Sequence, residues 1–456
     1  MKKINNMRHY NISRLSILAL ALLGTACTFE QDDYFDESAS LRITHLNERL
    51  QECLVAQSSG ENNGWVMQYF VAGTDDANFE GFNILGSFNE KGKVTLASNH
   101  RFLRNSNAGK FTEHSSTYEM LTEEGPVLSF NSWNDILTVF VDPVDPSAAP
   151  NRIVSNGEGM NGDHNLVLKK FEDDEILFTG ERHSAITRFI PCDRPWQQYF
   201  DDVARLKNKI ATSTITNYYV INGTDTMYIN GLNKGIYVYG ERIYDPLKRK
   251  DVSCVFTPNG FRIEHEDTLG NSPFQEFVID ADSTCLLNED GHVKVVACWD
   301  RYVATHTAIW ELDASLFSAE QTSLSDQIDA EIRNFNTAWS LKSIGIGKST
   351  AAGSVMGLVL TFYTNTAKTK TNTVGLALNM ELTEYAKMKI GLPDADSYDK
   401  NMTSISAKAT ELPNLTKQFA TTLAGSYTMT PDDYFNPTGC TFAASEGVPT
   451  FKLSNI

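Results

Sequence analysis

The sequence predicts a mainly β protein with two or more antiparallel sandwich- or barrel-like domains, each carrying a peripheral helix. Apolar residues alternate with period two through about twenty short segments bounded by turn residues. These segments follow one another through short connections, which excludes alternating α/β topologies. Only three or four stretches place apolar residues at helical spacing. With 456 residues, 41% of them hydrophobic, the chain has material for a sizeable core.

The N-terminus reads as a leader. Residues 1–26 carry Lys2, Lys3, Arg8 and Arg14 and no acid, then an apolar run from Leu15 to Leu23 and the small residues Gly24, Thr25 and Ala26. That is the secretory pattern, too short for a membrane anchor. Cys27 at the cleavage point predicts diacylglyceryl attachment, although Gly24 stands where such sites usually hold a branched apolar residue. An ordinary cleaved signal with an incidental cysteine is the alternative. Residues 27–40 read as a solvated tether, with five acids between Thr28 and Glu37. Such an acidic stretch after the acylated cysteine resembles the export signal of outward-facing lipoproteins, so the expected location is the outer membrane, facing the exterior. Removing four leader cations leaves 35 basic and 57 acidic side chains, a net −22. No basic surplus is left to neutralise phosphates, which excludes a nucleic-acid partner.

Residues 41–192 read as an N-terminal β-domain. Ile43, Leu46, Leu50, Cys53 and Leu54 fall at helical spacing, and after Gly64 the period switches to two. Trp65, Met67, Tyr69 and Val71 share one strand face, and Phe82, Ile84 and Phe88 share the next. Asn89–Lys93 is a hairpin turn into Val94 and Leu96. Further strands are expected at Tyr118–Leu121, Val127–Phe130, Leu137–Val141, Leu166–Phe171 and Glu175–Thr179.

Residues 193–456 read as a C-terminal β-rich domain, with a possible subdivision near 316–320. Pro195 opens a helix with Trp196, Tyr199, Phe200, Val203, Leu206 and Ile210 on one stripe. Strands follow, ending in a stretch from Cys285 to Trp299. Ser318 and Gln321 have capping-box spacing ahead of a helix bearing Leu324, Ile328, Ile332 and Phe335. Strands at Val355–Tyr363 and Thr373–Leu382 precede a last helix with Leu412, Leu415, Phe419 and Leu423, and final strands run from Ser426 to Leu453. Helix-then-meander recurs without a register-exact repeat.

Several segments resemble a Bacteroidota lipoprotein family catalogued as domain of unknown function 4302. They are Gly64-Trp65 with Tyr69, Ser116-Thr117-Tyr118, Glu124 to Asn131, Leu137 to Pro143, Asn161-Gly162-Asp163, and Glu175 to Arg182. His164 departs from the acidic or aromatic residue the family tends to hold. The resemblance covers most of the mature chain, best in its first half. It implies a secreted lipoprotein, often encoded beside outer-membrane nutrient importers and their companion lipoproteins, and it supplies no active site.

Most motifs in the chain have plainer readings. Gly157–Gly162 spells G-x-G-x-x-G, but a strand at Asn165–Leu168 follows where a nucleotide site needs a helix. Gly347-Lys348-Ser349 ends like a phosphate loop, yet Lys342 occupies the position of its first glycine. Asp280, Asp282 and Asp290, and Asp394, Asp396 and Asp399, read as solvated turns, with calcium as the alternative. His265 lies between Glu264 and Glu266, where strand alternation sends neighbours to opposite faces. No zinc spacing and no nucleophile elbow is present. If Asn288–Gly291 is a hairpin turn, Cys285 faces about Lys294 and Cys298 lies roughly 13 Å further along, beyond disulfide reach.

Tyr237 and Tyr239 share a strand face, with Tyr244 nearby. Exposed, these rings could stack on a ligand; buried, they are packing. The functional reading is a non-enzymatic, lipid-anchored surface protein acting as a binding or accessory component of nutrient uptake. Its expected partners are the membrane, an importer and companion lipoproteins, and no cofactor is called for. The alternatives are a glycosidase-like hydrolase using a carboxylate pair, and a structural or adhesive surface protein.

Overall fold

The computed structural model describes residues 38–71, 81–103, 110–123, 125–141, 160–172, 174–211, 214–232, 236–240, 250–444 and 450–454. Helix Ala39–Ala56 starts where the Ser38 side chain accepts the Leu41 N–H, and it buries Leu50 and Leu54. Strand Trp65–Phe70 is buried at every position because both its faces are covered. Trp65, Met67 and Tyr69 face an interior shared with Ile84, Phe88, Phe178 and Phe189. Val66 faces the other way, against Tyr199 and Phe200 of helix Trp196–Ile210.

The strands form three antiparallel sheets: nine strands from Trp65 to Pro191, a closed barrel of eight from Asn217 to Ala297, and nine from Trp310 to Ser454. Numbered within each sheet, the first and third share one order, 4-3-2-1-9-8-7-6-5. The first strand pairs with the last in both, as Trp65 with Pro191 and Leu312 with Leu453. In each, the two edge strands are consecutive and joined by one buried residue: Tyr118 links Thr112–Thr117 to Glu119–Thr122, and Leu378 links Thr371–Ala377 to Asn379–Glu384. Edges that share a corner force the sheet to curl, so each nine-stranded sheet is a barrel split along one seam. At each seam a helix side chain takes up part of the edge backbone, the usual hazard of an open sheet. In the first sheet Asn47 of helix Ala39–Ala56 donates to Leu121 O at 3.1 Å. In the third, Asn401 of helix Lys400–Ile405 donates to Thr373 O at 2.9 Å.

Helix Trp196–Ile210 joins two sheets, with Tyr199 and Phe200 on the first and Leu206 and Ile210 in the barrel core. Asn83 of the first sheet accepts from Tyr199 Oη at 3.1 Å and donates to Phe256 O of the barrel at 2.8 Å. Below it, Arg188 pairs with Glu175 on its own sheet at 2.5 Å and with Glu276 of the barrel at 3.1 Å. The barrel meets the third sheet at Trp299, whose Nε1 donates to Tyr385 Oη at 2.7 Å.

The mainly β, barrel-like architecture is the one the periodicity predicts. The Ser318–Gln321 capping box forms in both directions at the start of helix Ala319–Phe335. Leu137–Val141, expected as a strand, holds the helical turn Thr138–Val141. Ile136, Leu137, Val139 and Phe140 are all buried, a pattern that fits one turn of helix as well as a strand. The Thr138 side chain accepts the Asn134 N–H at 3.0 Å and decides the local geometry. The stretch Cys285–Trp299 is a hairpin followed by helix Trp299–Thr305. Its register pairs Leu287 with Lys294, two residues off the expected one, so that Cys285 continues opposite Val296. Cys298 is then offset diagonally by two residues, and both thiols are unbonded and buried.

Candidate functional site

Four of the segments carrying the family resemblance contribute residues to one cleft at an end of the first sheet. It has a volume of 520 Å³, and its walls include Asn131, Trp133, Asp163, Asn165, Glu181, Arg182 and His183. Four stretches of chain build it: the turn after strand Pro126–Ser129, the helical turn at Thr138–Val141, residues 162–165, and the turn between strands Ile176–Gly180 and Ile186–Pro191.

Asp163 is the keystone of the floor and only 3% exposed. Its Oδ1 accepts from Arg182 N at 3.0 Å and His183 N at 3.1 Å, and Oδ2 accepts from Ala185 N at 3.3 Å. Its own N–H donates to Tyr69 Oη at 2.7 Å. Burial, with the Asp163 hydrogen bond opposing it, holds the Tyr69 phenol far above its usual pKa, so it stays a neutral donor and acceptor. The approach needs two glycines. A Cβ at Gly162 would sit 2.6 Å from Tyr69 Oη, and one at Gly180 would sit 1.8 Å from Asp163 Oδ2. Asn161 supplies the preceding turn with φ of 56°, a left-handed conformation that Asn tolerates.

Above this floor, His183 Nδ1 lies 3.1 Å from Gly162 O and 3.6 Å from Asp163 Oδ1. A proton on Nδ1 would reach the Gly162 carbonyl, which leaves Nε2 as the other polar atom of the ring. Glu181 accepts from Asn165 Nδ2 at 2.7 Å, and Asn165 accepts in turn from Ser129 Oγ at 2.7 Å. Trp133 stands at the rim, 54% exposed, and is the most exposed large apolar side chain among the described residues. Its Nε1 donates to Asp135 Oδ1 at 2.6 Å, and Asp135 pairs with His114 at 3.0 Å. The Trp133 turn is itself tied down, since Thr117 donates to Asn131 at 2.6 Å and Asn134 donates to Ser116 at 2.9 Å.

Cys27 and Tyr244 fall outside the described residues, as does Gly157–Gly159 of the glycine-rich motif. Tyr237 and Tyr239 are in strand Ile236–Gly240 of the closed barrel, a different sheet from the cleft, with Tyr239 paired to Ile229 and Lys250. Gly345–Lys348 is strand. The acidic clusters act as turn and helix caps. Asp280 accepts from Thr284 N at 2.6 Å and Cys285 N at 3.0 Å, and buried Asp399 caps helix Lys400–Ile405 through Met402 N at 2.9 Å. Among the described residues no group of three His, Cys, Asp or Glu is placed to hold a metal ion, and no helix is long and apolar enough to cross a membrane. Reading the sequence passed over Trp133, Arg182 and His183 as site residues. The signal that locates them is their position within or beside the family segments, which the fold gathers into one place.

Comparison with known proteins adds the family and little else. No curated protein matches. Among solved structures, the DNA polymerase III β chain of Streptococcus pneumoniae TIGR4 is 12% identical, with a TM-score of 0.12 over 90% of this chain and 97% of that one. A DNA polymerase sliding clamp from Pseudomonas aeruginosa is 8% identical, with a TM-score of 0.13 and the same coverage, 90% and 97%. Likeness at that level carries no statement about fold or function. A family model described as "Domain of unknown function (DUF4302)" matches residues 31–281, more than half of the chain and all of the cleft, and the chain belongs to that family.

Proposed function

We propose that this protein is a lipoprotein of the outer membrane, anchored through Cys27 and facing outward, which acts as a non-enzymatic binding component of nutrient uptake. The leader, the cysteine at its end and the acidic tether support the anchoring, together with the lipoprotein character of the family it resembles. The observation that carries the binding role is the state of Asp163. A glycoside hydrolase of the two-carboxylate kind needs free oxygens on both carboxylates. Of the two carboxylates lining this cleft, Asp163 is committed to three backbone N–H groups and holds the floor in shape, while Glu181 is left to face solvent. A preformed floor with polar side chains around an exposed ring is built to hold a ligand.

The experiment is purification of the lipidated protein from its native membrane in mild detergent, beside Cys27→Ala and Glu181→Ala variants. The expected result is that Cys27→Ala leaves the membrane fraction, that an importer or companion lipoprotein co-elutes with the wild type, and that mass spectrometry finds a bound compound which Glu181→Ala loses. Membrane retention of Cys27→Ala would overturn the anchor, and turnover of a glycoside by the wild type but not Glu181→Ala would replace binder by hydrolase.

A further inference from the structure

We infer that the cleft holds a neutral carbohydrate, with Trp133 as the stacking platform and Asn131, Glu181, Arg182 and His183 as the hydroxyl-binding wall. The inference rests on the binding role proposed above and gives it a ligand class. Trp133 is more than half exposed and lines the cleft, so its ring is open to whatever enters there. The ring is held in place, because Asp135 takes its only donor, and Asp135 is in turn oriented by His114. With Nε1–H occupied, what Trp133 offers a ligand is a flat apolar face. That face suits the C–H side of a sugar ring.

The polar side chains lining the same cleft have the complementary chemistry. Glu181 accepts, Arg182 donates, and the Asn131 amide and the His183 ring can do both, so donors and acceptors for ring hydroxyls are at hand. Two carboxylates, Asp163 and Glu181, line the cleft against one guanidinium, Arg182, which gives an anionic ligand no net attraction. A peptide fits less well. Strand Pro126–Ser129 is already paired on both sides, to Glu119–Thr122 and to Asn165–Phe171, so the cleft has no open backbone edge to extend. The rigidity of the Trp133 turn, tied by Thr117 and Asn134, means little ordering is left for the ligand to impose.

The test uses the full mature protein on a glycan array and in native gels containing starch, dextran, xylan, galactomannan, laminarin or levan. Wild type should be retarded by at least one neutral polysaccharide. Trp133→Ala should weaken that binding about 30-fold, as loss of a central aromatic anchor does, and Trp133→Tyr should recover part of it. Leu316→Ala, at another exposed apolar position, should bind as wild type does. Thermal melts of Trp133→Ala should match wild type, because the ring packs in no core. The inference is overturned if no glycan binds, or if Trp133→Ala binds as well as wild type. Should a peptide array instead select ligands that depend on Trp133, the carbohydrate falls while the binding role stands. If neither array yields a Trp133-dependent ligand, both fall.

Discussion

A methyl group on Gly180 would sit 1.8 Å from Oδ2 of Asp163, so the carboxylate occupies the space any other residue at 180 needs. The strand that carries Gly180 and the turn that carries Asp163 are therefore matched to each other. Gly180→Ala must push the carboxylate off its backbone donors, and we expect it to cost about 3 kcal/mol. Asp163→Ala alone should cost a similar amount by leaving one buried and two half-buried N–H groups without their acceptor. The double variant should cost less than the two together, because the clash disappears with the carboxylate. Urea denaturation of the four proteins measures this, and strict additivity would show the two positions to be independent.

His100 gives the first sheet an acid-sensitive core. It is buried against Phe82, Phe102 and Phe140 with Nε2 3.0 Å from Ile136 O, and burial lowers its pKa to about 4. The unfolded chain takes up a proton near pH 6.5 while the folded one does not until about pH 4. Stability from this residue is complete above pH 6.5 and falls as the pH drops toward 4, by about 3 kcal/mol in all. In His100→Gln that part of the acid sensitivity should vanish. Equal slopes of stability against pH for the two proteins would sink the assignment.

Arg188 clamps the first sheet to the barrel. Burial works against the charge on Glu175, yet Arg188 beside it keeps that carboxyl below its ordinary range, and the same guanidinium reaches Glu276. Arg188→Met takes the nearest cation from two half-buried carboxylates, leaving Lys170 3.4 Å from Glu175 and Arg262 3.7 Å from Glu276. The expected loss is about 2 kcal/mol, with faster proteolysis at the junction around residues 192–217. Arg188→Lys should not rescue it, since one ammonium cannot reproduce the guanidinium fork. Full rescue by lysine would mean that charge alone matters there.

At the start of helix Ala319–Phe335, Ser318→Ala should cost about 1 kcal/mol. Gln321 also donates to Thr422 at 3.1 Å, tying this helix to Leu412–Thr422. Gln321→Ala should therefore cost more than Ser318→Ala, and a smaller loss would show that the tie between helices contributes nothing.

Some of this fold is legible residue by residue. The hairpin at Asn89 is readable because its side chain accepts from Lys91 N at 2.9 Å and Lys93 N at 3.0 Å, a contact closed within four residues. The Ser318 box is readable for the same reason. Thr138–Val141 is not, since a fully buried apolar run lacks the periodicity that separates helix from strand. The Cys285 register is missed because a longer turn slides the hairpin by two residues, and that length is set by Asn288, whose side chain accepts from Val293 N at 2.9 Å. The cleft is legible only as a set of family segments. Trp133 belongs to none of the segments singled out from sequence, and only the structure shows it exposed at the rim of the cleft.

The sequence by itself determined the mainly β class and the helix starts at Ser318 and Pro195, because each rests on contacts or periodicities spanning a few residues. Tertiary structure decided that the first strand of each sheet lies beside its last, that two sheets split and one closes, and that Trp133, Asp163 and His183 share a cleft. Tyr69 and Asp163, which set its floor, are 94 positions apart. No local preference brings such residues together. They meet because closing the sheet buries the apolar faces of all nine strands at once, and the loops between them go where that closure puts them.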